Sequence, residues 1–212
     1  MKKQLIAAVV LLFSFTALAQ TTPEKKDKKD KKVSIVINSK FGFAKLNQTD
    51  LVTLNGNING GDFLFSYSIG KNWDLAAGVG FMDFNANPTI AGNSASLKNS
   101  YLQIPLKAFG DFSIFEKEQS PSKIAVVFAG GFYANTLLKS EVKTLSGNSS
   151  EKNLGWNFGV TTQLGAKFIV SDDLDFEIGL ESQIDLSDMK HKGVNRKIEQ
   201  LNVLYANLGF KF

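Results

Sequence analysis

Cysteine is absent from the 212 residues, which excludes a disulfide framework, a thiolate metal site, a cysteine nucleophile and a lipid-modified N-terminal cysteine. Histidine and arginine each occur once, as His191 and Arg196, a thin supply of ionisable chemistry for a cytosolic enzyme of this size. After the N-terminal leader no continuous apolar stretch reaches the roughly 20 residues that a transmembrane helix needs. An excess of one charge is lacking too. The formal net charge is +4, but from Val33 onward sixteen basic residues meet seventeen acidic ones, and a nucleic-acid partner loses its main support. With 43% hydrophobic and 21% charged residues, 18 Gly and 18 Phe, the chain has the composition of one folded domain and not of a disordered or collagen-like chain.

Met1-Lys2-Lys3, the apolar run from Leu5 to Leu18 and the small-x-small ending Ala17-Leu18-Ala19 make the three regions of a secretory signal peptide over 1–19, with cleavage expected before Gln20. An uncleaved N-terminal anchor is the alternative; the run is short for spanning and ends in a processing site. Residues 20–32, built on the alternation Glu24-Lys25-Lys26-Asp27-Lys28-Lys29-Asp30-Lys31-Lys32, offer nothing large and apolar to bury. They are expected to be a disordered, charged tail that spaces the first strand from the cleavage site.

From Val33 the hydrophobic period is two. Strands are predicted over 33–44, 62–69, 74–84, 101–114, 124–138, 156–170, 175–186 and 201–212, an even count of eight. The connections alternate: 45–61, 85–100, 139–155 and 187–200 are long and polar, whereas 70–73, 115–123 and 171–174 are shorter. Outer-membrane barrels place short turns on the periplasmic side and long loops outside, and a soluble sandwich has no reason to. The sequence therefore predicts an all-β fold, an eight-stranded antiparallel up-and-down transmembrane β-barrel over 33–212, in the outer membrane with both termini periplasmic. The loops 85–100 and 139–155 are expected to have no core to serve.

The faces refine this. Phe176, Ile178, Leu180, Ile184 and Leu186 share one side of the seventh predicted strand, Glu177, Gly179, Glu181, Gln183 and Asp185 the other. A soluble lipid-carrying barrel also alternates, with its apolar side inward. Glycine separates the two: Gly42, Gly78, Gly80, Gly131, Gly159, Gly165, Gly179 and Gly209 fall on the polar face, where a narrow interior needs small residues, with Gly110 an exception. Aromatics at strand ends suit the two girdles of a lipid-facing surface, with Phe41, Phe43, Phe63, Phe81, Phe132, Trp156 and Phe158 expected near the external rim. The inward set then holds Lys40, Lys107, Lys167 and Lys211 with Asp62, Asp111, Glu177, Glu181 and Asp185. Unpaired charge in a narrow lumen is costly, so an ion-paired polar filling is expected.

The last strand alternates Leu204, Ala206, Leu208, Phe210 and Phe212 against Tyr205, Asn207, Gly209 and Lys211. This resembles the C-terminal assembly signal of outer-membrane proteins, which implies a role for Leu208, Phe210 and Phe212 in recognition by the barrel-insertion machinery. The segment Tyr101-Leu102-Gln103-Ile104-Pro105-Leu106-Lys107 resembles the Y-L-E-I-P-L motif of the porT-like outer-membrane β-barrel family of the Bacteroidota, with Gln103 where that family usually has Glu. The order of parts is similar as well: export signal, short charged tail, eight strands, terminal Phe. One branch of that family serves protein secretion, so the resemblance implies an envelope or secretion partner. Pro105, lacking an N–H, suggests a bulge or kink in its strand.

Catalytic chemistry is sparse. His191 has Ser187 and Asp188 as its nearest candidate partners, the minimum for an acyltransferase or protease at the external rim, but no strand fixes a second group beside it. Asp172, Asp173 and Asp175 lack the glycine-punctuated loop of a calcium site, and Gly78-Val79-Gly80 lacks the third glycine and the helix of a phosphate loop. No cofactor or metal is expected. The reading is an outer-membrane barrel with a filled polar lumen, surrounded by outer-membrane lipid, acting in binding, structure or secretion. A rim enzyme and a soluble periplasmic lipid-binding barrel are the alternatives.

Overall fold

The computed structural model describes residues 32–49, 53–90, 93–115, 123–145, 147–152 and 155–212. The leader, all of the tail except Lys32, and most of the connection 115–123 lie outside the described residues. In chain order the strands are β1 (Val33–Gln48), β2 (Leu54–Ser68), β3 (Trp73–Ala86), β4 (Thr89–Ile90), β5 (Asn93–Ser94), β6 (Ser96–Phe115), β7 (Lys123–Thr144), β8 (Gly147–Lys152), β9 (Trp156–Ile169), β10 (Leu174–Asp185), β11 (Met189–His191) and β12 (Val194–Lys211). The eight long strands pair antiparallel in the order β1-β2-β3-β6-β7-β9-β10-β12, and β12 pairs with β1 to close the ring. The short strands are appendages: β4 and β5 form their own hairpin, β8 pairs antiparallel with the upper part of β7, and β11 with the upper part of β12.

Closure fixes the dimensions. A circuit of paired residues runs Val33, Tyr67, Leu75, Ala108, Gly130, Thr162, Ser182, Asn202 and back to β1 at Phe43, ten residues beyond its start. With ordinary strand rise and spacing, eight strands and that offset give a tilt of roughly 40°, a radius of about 8 Å and a climb of about 25 Å per circuit. A lumen that narrow is filled by side chains.

The end where β1 begins and β12 finishes is called here the lower end. Between it and the upper aromatic residues, the outer face is mostly apolar: Ile37, Phe41, Phe65, Val79, Leu106, Leu164, Leu180 and Leu204 are all exposed, with Ser39, Asn59 and Thr162 the exposed polar residues among them. Above Phe43 and Trp156 the faces exchange. Lys45, Asn47, Asn55, Asn57 and Lys98 point outward, while Ala44, Leu46, Ile58, Met82, Phe84, Leu97, Leu137, Ile198 and Leu201 point inward into one apolar cluster. The upper third of the barrel is thus built like a soluble protein.

That exchange explains the differences from the expected strand bounds. The criterion of apolar outward residues ends each strand at the rim, whereas β1, β2, β6, β7 and β12 continue for four to eight residues above it. The segments 85–100 and 139–155 do serve a core, since Leu97 and Asn99 are buried, Ser140 opposite Asn99 is buried too, and Val142 opposite Leu97 packs against the apolar cluster. Pro105 produces no bulge of its own. The β3–β6 ladder is interrupted opposite it, between the pairs Ala77–Leu106 and Gly80–Gln103, where its missing N–H leaves no donor; the register shifts between β6 and β7 lie elsewhere, with Leu138 the extra residue on β7 opposite Ser100/Tyr101 and Ile114 the extra residue on β6 between Ser113 and Phe115. Phe63 is not at the rim: it pairs with Ile37 and Val79 in the middle of the apolar band and meets Phe65 edge-on, centroids 5.3 Å apart. Gly110 faces outward as a floor for Phe128, whose ring lies 5.4 Å from Trp73 and 5.5 Å from Phe112.

Loop trimming separates appendage from core. Replacing 89–94 by Gly-Ser should leave a folded barrel with unchanged heat-dependent gel mobility, because the described residues there form the β4–β5 hairpin, a sheet separate from the ring. Deleting 96–100 should lower the urea midpoint by an amount equivalent to about 2–5 kcal/mol, the cost of removing a buried Leu such as Leu97. Equal midpoints for the two variants would contradict the apolar cluster's role.

Candidate functional site

The lumen is stratified into three levels by the ring's parity. Its middle is a square of alternating charge contributed by four strands. Lys40 on β1 lies 2.5 Å from Asp62 on β2 and 3.0 Å from Glu181 on β10; Lys107 on β6 lies 3.4 Å from Asp62 and 3.3 Å from Glu181. All four side chains are buried, and the charges cancel. Glu181 also accepts from Thr161 at 3.1 Å and from the amides of Gln163 and Gln183, while Gln103 donates to Gln183 at 2.9 Å. Glu181 thus satisfies its oxygens by binding opposite walls of the barrel together. Replacing water by partners in this way is what makes a buried charge tolerable.

Below the square, Tyr205 donates to Glu177 at 2.5 Å, Asn38 pairs with Asn207, and Leu64, Ala76, Phe109, Val127 and Ala129 form a small apolar cluster. Lys167 with Asp111, 2.9 Å, and Lys211 with Asp175, 3.2 Å, sit toward the lower mouth. Asp111 and Lys211 are about a third exposed there (32% and 33%), so they line an opening and do not belong to one continuous buried network. Above the square, Asp185 accepts from Tyr133 at 2.8 Å and from the Ile198 N–H at 2.6 Å, directly under the apolar cluster. Glycine makes this packing possible: a Cβ at Gly165 or Gly179 would collide with the Tyr205 hydroxyl, and one at Gly159 with the Tyr133 ring.

The motif residues divide by parity. Tyr101, Gln103, Pro105 and Lys107 face inward and buried, and Ile104 and Leu106 stand exposed outside with Leu102 half-buried between strands. Leu208 and Phe210 lie outward on β12 opposite Ile37 and Ile35, and the Phe212 N–H donates to the Val33 carbonyl at 2.8 Å, the lowest bond of the closing seam. His191 pairs with Val194 in the β11–β12 ladder and makes no hydrogen bond to Ser187 or Asp188 among the described residues; Ser187 Oγ instead accepts from the Phe158 N–H at 2.9 Å. Sequence reasoning missed the apolar upper cluster, the Asp175 partner of Lys211, and Arg196. Continuing the period-two pattern from Val203 upward would have placed Ile198 and Arg196 inside once the irregularity between Ile198 and Gln200 was allowed for.

The upper end is the basic one. Among the described residues it carries Lys45, Lys98, Lys139, Lys143, Lys152, Lys190, Lys192, Arg196 and Lys197 against Asp83, Glu141, Glu151, Asp188 and Glu199. Two exposed pairs, Lys98–Asp83 at 2.9 Å and Lys139–Glu141 at 2.6 Å, account for part of it.

The square can be tested by unbalancing it. Lys40→Met leaves two carboxylates facing one ammonium and should cost about 3–5 kcal/mol by urea unfolding in detergent. Lys40→Met with Asp62→Leu restores neutrality around Lys107 and Glu181 and should recover most of that loss, whereas Lys98→Met on the exposed pair should cost less than about 1 kcal/mol. A single variant as stable as the wild type would remove the square from the account of stability.

No protein-family model matches the chain, and no curated protein matches it in sequence. Solved structures do resemble it in shape. Neisserial surface protein A superposes with a TM-score of 0.50 at 16% identity, covering 85% of this chain and 97% of that one. The attachment invasion locus protein Ail of Yersinia pestis gives 0.42 at 12% identity over 86% and 99%, and the outer membrane protein OprG of Pseudomonas aeruginosa gives 0.39 at 11% over 86% and 96%. The likeness to the Neisserial protein, together with the closed register, establishes the fold: an all-β, eight-stranded antiparallel up-and-down barrel of the outer-membrane kind.

Proposed function

We propose that the chain is an integral outer-membrane protein of the porT-like family that works by binding at its external end and does not form a pore. The observation that carries this is the exchange of faces: an apolar band about 25 Å tall, with aromatics at both margins, gives way above to a water-facing barrel whose interior is apolar. A soluble carrier would need the apolar side of its middle strands inward, and Ile37, Leu106, Leu164 and Leu180 point out. The lower end is then periplasmic, with 1–19 removed as an export signal and 20–32 a periplasmic tail. Family membership rests on the segment Tyr101 to Lys107, and a secretion or other envelope partner on that same resemblance.

The stratified lumen supports a closed barrel, since the charge square and the apolar cluster above it occupy its cross-section. Catalysis at the rim has no support in the arrangement around His191. Leu208, Phe210 and Phe212 form the outward edge of the strand that completes the seam, the part that insertion machinery must engage before closure.

Fractionation tests the location: the mature protein should start at Gln20, co-purify with the outer membrane and migrate faster unheated. In intact cells, protease should cut within 147–152 and not at 70–73. Phe210→Ser with Phe212→Ser should leave little folded barrel, and Leu180→Arg should destabilise by about 2–4 kcal/mol. Stable porin-sized currents in planar bilayers, or recovery as a soluble protein, would defeat this reading.

A further inference from the structure

Arg196 sits where a guanidinium is poorly compensated. Its side chain is 8% exposed and lies above Leu54, Leu97 and Val142, the top of the apolar cluster. Its donors are unevenly used. Nε donates to Gln48 Oε1 at 3.1 Å, and Nη2 reaches Glu151 Oε2 only at 3.5 Å. Nη1 is buried and has no acceptor among the described residues. A cavity of about 70 Å3 lies against this group, lined also by Ser140, Ser149, Gln48 and Glu151.

A buried arginine normally spends its planar fork on a carboxylate or an oxyanion in two parallel bonds. Here the carboxylate that Arg196 reaches among the described residues is Glu151 on β8, a strand exposed along its whole length, and its side chain is 45% exposed. Glu151 can therefore swing away without disturbing the core. The cavity has room for one oxyanion group and not for a sugar ring, and its two serine hydroxyls add donors beside the guanidinium. The surrounding surface is net basic, which raises the local concentration of anions.

We propose that the Arg196 cavity is an oxyanion site that takes a sulfate or phosphate group, with Glu151 as the internal competitor it displaces. This rests on the reading above, in that the site then faces the outside of the cell. On β12 Arg196 lies six residues beyond Asn202, the partner of Phe43 at the aromatic margin, so the cavity stands roughly 10–15 Å above that margin at the barrel's tilt. Groups anchored in the bilayer would not reach it, and the source is a soluble polyanion.

The test is calorimetric titration of the purified mature protein in zwitterionic detergent with sodium sulfate and sodium phosphate, at ionic strength held constant with chloride. Saturable binding is expected. Glu151→Gln should tighten it about tenfold by removing the competing charge, and Arg196→Gln should weaken it at least about tenfold. The gain in Glu151→Gln cannot come from misfolding, so it carries the test if Arg196→Gln fails to fold. Absence of binding in both wild type and Glu151→Gln, or undiminished binding in Arg196→Gln, would overturn the site. Dextran sulfate should bind more tightly than lipopolysaccharide micelles; the reverse order would overturn the soluble source. Recovery of the protein away from the outer membrane would defeat the functional reading while leaving this titration intact.

Discussion

The hydrogen-bonded seam between β1 and β12 is the constraint on which everything else hangs. In hydrocarbon no water can satisfy a strand edge, so a sheet survives there only if its last strand finds its first. Fifteen residues of β1, from Ser34 to Gln48, have partners on β12. Because the seam closes with a displacement of ten residues, tilt and radius follow, and with them the inward or outward direction of each side chain. The charged square is a downstream effect: Lys40, Asp62, Lys107 and Glu181 meet only because four strands are brought to one height by that displacement.

Within the ring, polarity is managed by neutrality and by size. The four central charges cancel, and the tyrosines whose hydroxyls reach Glu177 and Asp185 lie against glycines. This trade resembles a jigsaw more than a greasy core: a methyl group in the wrong place blocks a hydroxyl, and a hydroxyl without its carboxylate is stranded. Pairing across the lumen also braces opposite walls, which backbone ladders between neighbours cannot do.

Much of this was legible in the sequence, because a period of two is unambiguous once eight segments repeat it. Parity puts Lys40, Lys107, Glu177 and Glu181 on one face, and the glycines that share it mark that face as the inner one. What the pattern did not yield was the pairing, since Glu181 could have met any lysine at its level, and the extension of the strands above the rim. There the apolar residues move from the outer to the inner face, and a reader following outward apolar residues loses the strand at Ala44 although the ladder continues to Gln48. Arg196 was hidden by the same exchange, compounded by an irregularity near Glu199 that shifts parity by one. Lys211 and Asp111 were placed on the correct face but too deep, because parity says nothing of distance from a mouth.

The exchange of faces also makes the molecule a ruler. Sinking by one inward–outward repeat, roughly 5 Å of climb, would draw Lys45, Asn57 and Lys98 toward hydrocarbon, and rising by as much would lift Phe41 and Phe81 into water. Vertical drift is opposed in both directions, by charge in one and by apolar surface in the other. In the outer membrane proposed above, a bilayer of another thickness would therefore have to thin or swell around the barrel, at fractions of a kcal/mol per Å of mismatch, because the protein has no depth to yield.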